Sequence, residues 1–168
     1  MLEPIAIIDD LQRRVALLED REEIRDLIER YAEAADRRND PDLMRVLFAE
    51  DAIWEAPGFG RFDGRVAILD GLSEIAATRL LWTMHYMISP RIRIAEDRLT
   101  AHVSWRVWEL ATVSGNSQPN TDAVWGGGTY QVELARVAGR WQFAHVRLNL
   151  ELISRYSEGW AAARIAKL

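Results

Sequence analysis

The chain has 168 residues, 49% of them hydrophobic and 28% charged, a globular balance that suits one domain with a sizeable core. It contains no cysteine, which excludes a disulfide framework, a thiolate metal site and a thiol nucleophile. A net charge of −5 argues against a nucleic-acid partner, and no stretch reaches the ~20 apolar residues of a membrane span. Seven tryptophans point instead to an aromatic-rich core or pocket.

The first ten residues, Met1 to Asp10, have no basic segment and too short an apolar run for a secretory signal, so a cytoplasmic location is expected. Ile8, Leu11, Val15 and Leu18 recur at helical spacing and predict an N-terminal helix whose stripe must pack on something. Asp20 with Glu23 resembles a capping box, predicting a fresh helix start there. That helix carries Ile24, Leu27, Ile28, Tyr31, Ala32 and Ala35 on one face and runs out near Asp36–Asn39. Asp40 before Pro41 reads as an N-cap with proline in the first turn of a short helix. A short strand over 52–55 follows, then a turn at 57–60 and a return strand at Arg61–Phe62. Asp63 is expected to cap a third helix bearing Val66, Ile68, Leu69 and Leu72. Beyond about Leu81 the pattern turns to long β-rich runs, 83–95, 98–113, 123–137 and 140–153, with tight connections that imply antiparallel hairpins. Gly126–Gly128 lack the lysine of a phosphate loop and predict a bulge or a close backbone approach. Helices first and a sheet second is an α+β layout: a cone-shaped, curved antiparallel sheet wrapped around the helices. Residues 1–168 read as one domain, with a helical extension over 1–18, a core over 19–153 and a tail over 154–168.

In this order the segments 22–31 ending in Asp36, 47–54, 60–65, 84–87, 125–130 and 139–143 resemble the SnoaL-like branch of the nuclear transport factor 2-like superfamily. The resemblance implies a cystatin-like α+β barrel. It spans dehydratases, a dehydrochlorinase, isomerases, cyclases, cofactorless formaldehyde-releasing lyases and non-catalytic dioxygenase β-subunits, so the fold alone does not settle the function.

Asp36 and His85 match the helix-borne carboxylate and strand-borne histidine of the eliminating members. A carboxylate on one ring nitrogen fixes the tautomer and frees the other nitrogen to accept a proton. The residues alone favour a structural reading, Asp36 as a helix-end carboxylate and His85 as a core histidine, and the resemblance is what implies the dyad. Tyr31 matches a pocket tyrosine whose hydroxyl would polarise a carbonyl or leaving group, and its alternative is a core aromatic. Arg147 matches a pocket arginine or serves a structural ion pair, and Asn149 shares its face by strand alternation. Trp54, Met87, Trp105 and Phe143 are expected to wall the pocket, a core role being the alternative for each. Trp105 is expected to stand where related enzymes place a second titrating group on the second long strand. His85, His102 and His145 fall on separate strands without metal-ligand spacing, so no metal is expected. No cofactor fingerprint is present.

These readings converge on a cofactor-independent lyase, acting by His/Asp acid–base catalysis on a hydrophobic, aromatic or polycyclic small molecule. Its reaction would be a dehydration, a dehydrohalogenation or a release of formaldehyde. The alternatives are an isomerase or cyclase on the same pocket and a non-catalytic scaffold. A homo-oligomer, trimer or dimer, is expected, with no nucleic acid or membrane as partner.

Overall fold

The computed structural model describes residues 4–114, 121–161 and 165. Its elements are α1 (Pro4–Asp36), α2 (Pro41–Arg45), β1 (Phe48–Ala56), β2 (Gly60–Asp63), α3 (Arg65–Thr78), β3 (Leu80–Ile94), β4 (Thr100–Ser114), β5 (Thr121–Val137) and β6 (Arg140–Arg155). The six strands form one sheet in the order β2-β1-β6-β5-β4-β3. The long strands are paired antiparallel, as their tight connections require. The β1–β6 contact is parallel, which makes the sheet mixed rather than wholly antiparallel. No helix among the described residues is long and apolar enough to cross a membrane.

The expected break at Asp20 is absent, because α1 runs unbroken through it. Asp20 is no cap: it is 2% exposed and binds Arg98 Nε at 2.5 Å, the guanidinium of Arg136, and Trp141 Nε1 at 3.3 Å. Glu23 accepts the Trp141 backbone N–H at 3.0 Å. Acidic spacing in a helix looks the same whether it caps or reaches across to a sheet, and here long-range partners decide. Burial alone would raise the Asp20 carboxyl, but the bonds from Arg98 and Trp141 and the charge of Arg136 outweigh it and hold the pKa below the ordinary aspartate range. Asp20→Asn should therefore destabilise the fold by about 3 kcal/mol, the lower end for a broken buried pair, since Arg98 keeps some access to water. The depressed pKa makes this contribution full above the ordinary value of 3.8 and lets it fade as pH falls through the folded value. Urea titrations at pH 7 and pH 3 should show the wild-type advantage shrinking in acid.

Asp40 caps α2 through the backbone N–H groups of Asp42 and Leu43, as its position before Pro41 implies. Asp63, in contrast, does not cap α3. Gly64 takes the N-cap position, and Asp63 is held by Arg61 at 2.8 Å.

The core lies between the inner face of the sheet and one side of α1. Ile24, Leu27, Ile28, Tyr31, Phe48, Trp105, Tyr130 and Phe143 fill it, with edge-on contacts from the Tyr31 ring to Phe48, Tyr130 and Phe143. The glycine run does mark a close approach. A Cβ on Gly128 would meet the Asn149 carbonyl oxygen at 2.2 Å, and the β5–β6 register slips between Gly127 and Gly128.

Candidate active site

Toward one end of the sheet the core gives way to a cavity. Tyr31, Ala35 and Asn39 reach it from α1 and the turn after it, Leu72, Ile75 and Ala76 from α3, and Trp54 and Phe59 from β1 and the following turn. Inward residues of the long strands complete it: Leu80, Thr83 and His85 on β3, Glu109 and Ala111 on β4, Val124, Gly126 and Tyr130 on β5, and Leu148, Leu150 and Ile153 on β6. The lining is mostly apolar, with a few convergent polar groups, the usual make-up of a small-molecule site.

Asp36 and His85 meet here. Asp36 is the last residue of α1, which ends because Arg38 and Asn39 turn into the left-handed region, where asparagine is tolerated. Its carboxylate is fixed by the Thr83 hydroxyl at 3.2 Å and by the backbone N–H of His85 at 3.1 Å. His85 Nδ1 lies 2.7 Å from Asp36 Oδ1. An ionised carboxylate only accepts, so Nδ1 carries the proton and Nε2 is the free lone pair.

Across the hairpin from His85 sits a second acid. His85 pairs with Glu109 in the β3–β4 register, and Glu109 Oε2 lies 3.6 Å from His85 Nε2. Glu109 Oε1 is buried and has no hydrogen-bond partner. The next strand makes room for this carboxyl. Gly126 is opposite Glu109, and a Cβ there would stand 3.2 Å from both Cβ and Oε2 of the glutamate. Burial raises the Glu109 pKa above the usual carboxylate value, and Asp36 pushes the same way against the pull of His85. Burial lowers that of His85, but the charges of Glu109 and Asp36 outweigh it, so the imidazole titrates above its ordinary 6.5. Both groups are thus shifted upward, and they titrate as a coupled pair rather than singly.

Two phenols stand beside the pair. Tyr31 accepts a 2.9 Å hydrogen bond from Trp54 Nε1. Burial raises both Tyr31 and Tyr130 above the ordinary tyrosine value, so each stays protonated at neutral pH, and Tyr130 donates to the Tyr31 hydroxyl. Trp54 thus lines the cavity and also orients Tyr31.

The remaining expected site residues lie elsewhere. Arg147 and Asn149 share a face, as alternation requires, but it is the outer one. Arg147 Nε binds Glu55 at 2.8 Å on the neighbouring strand, and the inward positions belong to Val146, Leu148 and Leu150. An arginine inside this cavity would be stripped of water beside a single carboxylate pair, whereas outside it keeps both solvent and Glu55. Trp105 faces inward but does not wall the cavity. It is stacked on Tyr130 with ring centroids 5.0 Å apart, deeper in the core, and donates to Met87 Sδ at 3.1 Å. Met87 packs at the edge of the core, and Phe143 is fully buried against Tyr31 and Phe48. The wall position assigned to Trp105 belongs to Glu109, four residues further along β4. His102 lines an outer groove, and His145 binds Glu55 at 3.0 Å on the outer face, so neither joins His85.

A family model for the SnoaL-like domain matches residues 16–147. No curated protein matches the sequence. Among solved structures, the chain is similar to hexachlorocyclohexane dehydrochlorinase LinA-type3 from Novosphingobium barchaimii, with 18% identity, 92% of this chain and 99% of that one covered, and a TM-score of 0.75. It is also similar to a presumptive scytalone dehydratase from Novosphingobium aromaticivorans, with 24% identity, 94% and 99% covered, and a TM-score of 0.64. A presumptive aromatic ring hydroxylase from the same organism gives 24% identity, 82% and 94% covered, and a TM-score of 0.72. Identities this low speak for a shared fold, not a shared reaction.

Proposed function

Because the chain belongs to the SnoaL-like family, we propose that it is a cofactor-independent lyase that eliminates a small leaving group, water or halide, from a hydrophobic small molecule. The observation that carries the reading is the 2.7 Å Asp36–His85 bond, which leaves Nε2 as a bare base at the wall of an apolar cavity. In the productive state His85 is neutral and Glu109 protonated. His85 Nε2 takes a proton from a carbon acidified by an adjacent carbonyl. The C–H electron pair becomes the new double bond, the bond to the leaving group breaks, and Glu109 gives that group its proton. His85 is left as imidazolium and Glu109 as carboxylate, 3.6 Å apart, and transfer of one proton between them restores the starting state. The Tyr31 hydroxyl, which accepts from Trp54 and from Tyr130, keeps its own proton to donate to the carbonyl oxygen as that oxygen gains negative charge.

Release of formaldehyde fits the same base acting on a hydroxymethyl O–H, and an isomerase would return the proton to a different carbon. A purely scaffolding role offers no account of Glu109, since burying a carboxyl with an unpartnered oxygen costs about 1–3 kcal/mol that a binding or catalytic use would justify.

The test is incubation of the full-length protein in D₂O with an aryl β-hydroxyketone, without added cofactor. Elimination, or deuterium exchange at the carbon next to the carbonyl, is expected with wild type and lost with His85→Ala. Equal behaviour of the two proteins would overturn the proposal.

A further inference from the structure

Beyond its midpoint β3 changes faces. Trp82, Met84, Tyr86 and Ile88 point outward and His85 inward. Ile88 pairs with Arg106 but Arg91 with Ser104, three steps on β3 against two on β4. Ser89, held at φ 53°, and Pro90 thus stand against Trp105 alone, a bulge of one residue. An unshifted register would set Arg91 against Val103, a core residue, and would turn Arg91 and Arg93 inward. The bulge places both guanidiniums on the outer face instead, opposite Ser104 and His102, their register partners on β4.

These four side chains form a compact set of donors. Neighbours across the strands start about 5 Å apart and neighbours along one strand about 7 Å apart, so two guanidiniums, an imidazole and a hydroxyl surround one spot. They line one side of a groove whose other side carries Gln131 and Glu133 on β5. None of the four has a side-chain hydrogen bond or ion pair among the described residues. Elsewhere on the outer face Arg147 is neutralised by Glu55 at 2.8 Å, Arg106 by Glu151 at 3.9 Å and Arg61 by Asp63 at 2.8 Å. Glu133 is in register with His102 but makes no ion pair, so two arginines against one glutamate leave the groove cationic with both histidine nitrogens uncharged. In a chain of net charge −5, two adjacent like charges are a local excess that a bound anion would relieve.

We propose that Arg91, Arg93, His102 and Ser104 form a binding site for a small phosphate-bearing molecule, on the face of the sheet opposite the cavity. Donors that converge from two strands suit a tetrahedral oxyanion, which offers acceptor oxygens in several directions. A planar carboxylate is satisfied by a single guanidinium fork and would leave the other donors idle. Glu133 and the net charge of −5 disfavour a long polyanion, so the ligand is small. Glu133 and Gln131 can accept from hydroxyl groups next to the phosphate. The site lies six residues along β3 from the nearest member of the proton-transfer pair, His85, or roughly 20 Å, and on the other face, so it is separate from that pair.

The experiment titrates the full-length protein with inorganic phosphate and with ribose 5-phosphate at constant ionic strength, read by calorimetry and by backbone amide chemical shifts. Wild type should bind at least one of them saturably, with shifts centred on 91–93 and 102–104 and none at 83–85 or 109–111. Tighter binding of the ester would assign the site to an esterified phosphate, and phosphate binding as well or better would assign it to the free ion. Arg91→Gln/Arg93→Gln should weaken binding about tenfold or more at an unchanged circular dichroism spectrum, since charge-assisted hydrogen bonds are lost. Arg21→Gln/Arg140→Gln removes the same charge from two exposed arginines elsewhere and should bind as wild type does. No saturable binding, shifts centred on the cavity, or an equal loss in the two double variants would each overturn the inference. Because no turnover is read, the result stands apart from the lyase proposal.

Discussion

Replacing His85 by alanine is expected to lower kcat by about 10²–10⁴-fold, or roughly 3–5 kcal/mol of barrier, the usual contribution of a positioned base. His85 has no other structural duty of comparable size, because the carboxylate it binds is also held by Thr83 and by the His85 backbone, and these contacts survive the change. The melting temperature should therefore move little. Asp36→Asn should approach the same loss by another route. An amide turned to offer its NH₂ to Nδ1 would place the proton on Nε2, where it blocks the base. Circular dichroism and pre-steady-state kinetics separate this from unfolding. An Asp36→Asn enzyme with wild-type kcat would mean that the tautomer does not matter and that His85 is not the base.

The second large effect concerns Glu109, through the pH profile. With two coupled groups sharing one labile proton, kcat/KM should be bell-shaped. The acid limb marks entry of a second proton, which makes His85 cationic. The alkaline limb marks loss of the shared proton and lies above 6.5, because both groups are shifted upward. Glu109→Gln should lower kcat about 10²-fold for a hydroxyl leaving group, which needs a proton, and far less for a chloride, which does not. It should also remove the alkaline limb, leaving a single rise with pH as His85 alone loses its proton, since no shared proton remains to be lost. An unchanged bell in Glu109→Gln would show that the acid is another group.

The sequence reading reached Asp36 and His85 because both sit in motifs whose order along the chain mirrors a known pattern, and because the end of a helix and the first part of a long strand have little freedom in depth. It failed on Arg147 by giving a motif match priority over alternation. Val146, Leu148 and Leu150 already claim the inner face of β6, and Glu55 stands in register with Arg147 outside. Trp105 and Phe143 illustrate a different limit. Alternation tells which face a residue takes but not how far along a strand of 15 or 16 residues the packed core ends and the cavity begins. Glu109 was the larger omission, and a signal for it existed. It is the single acid among Val107, Ala111 and Val113 on the inner face of β4, and a lone carboxyl at such a position is costly unless it is used. The uninterrupted α1 was out of reach for the same reason that hides most long-range ion pairs: the arginines that convert Asp20 from a cap into an anchor are far away in sequence.

That distance governs how the protein is made. Arg98, Arg136 and Trp141 follow Asp20 by 78, 116 and 121 residues. On a translating ribosome the helix is synthesised first, yet its anchoring carboxylate waits roughly 6–24 s for its last partner at typical elongation rates. Until then, burying Asp20 would leave an unpaired charge in an apolar setting, which is costly. The carboxylate of Asp20 can therefore be buried with all its partners only after both hairpins of the sheet have been synthesised.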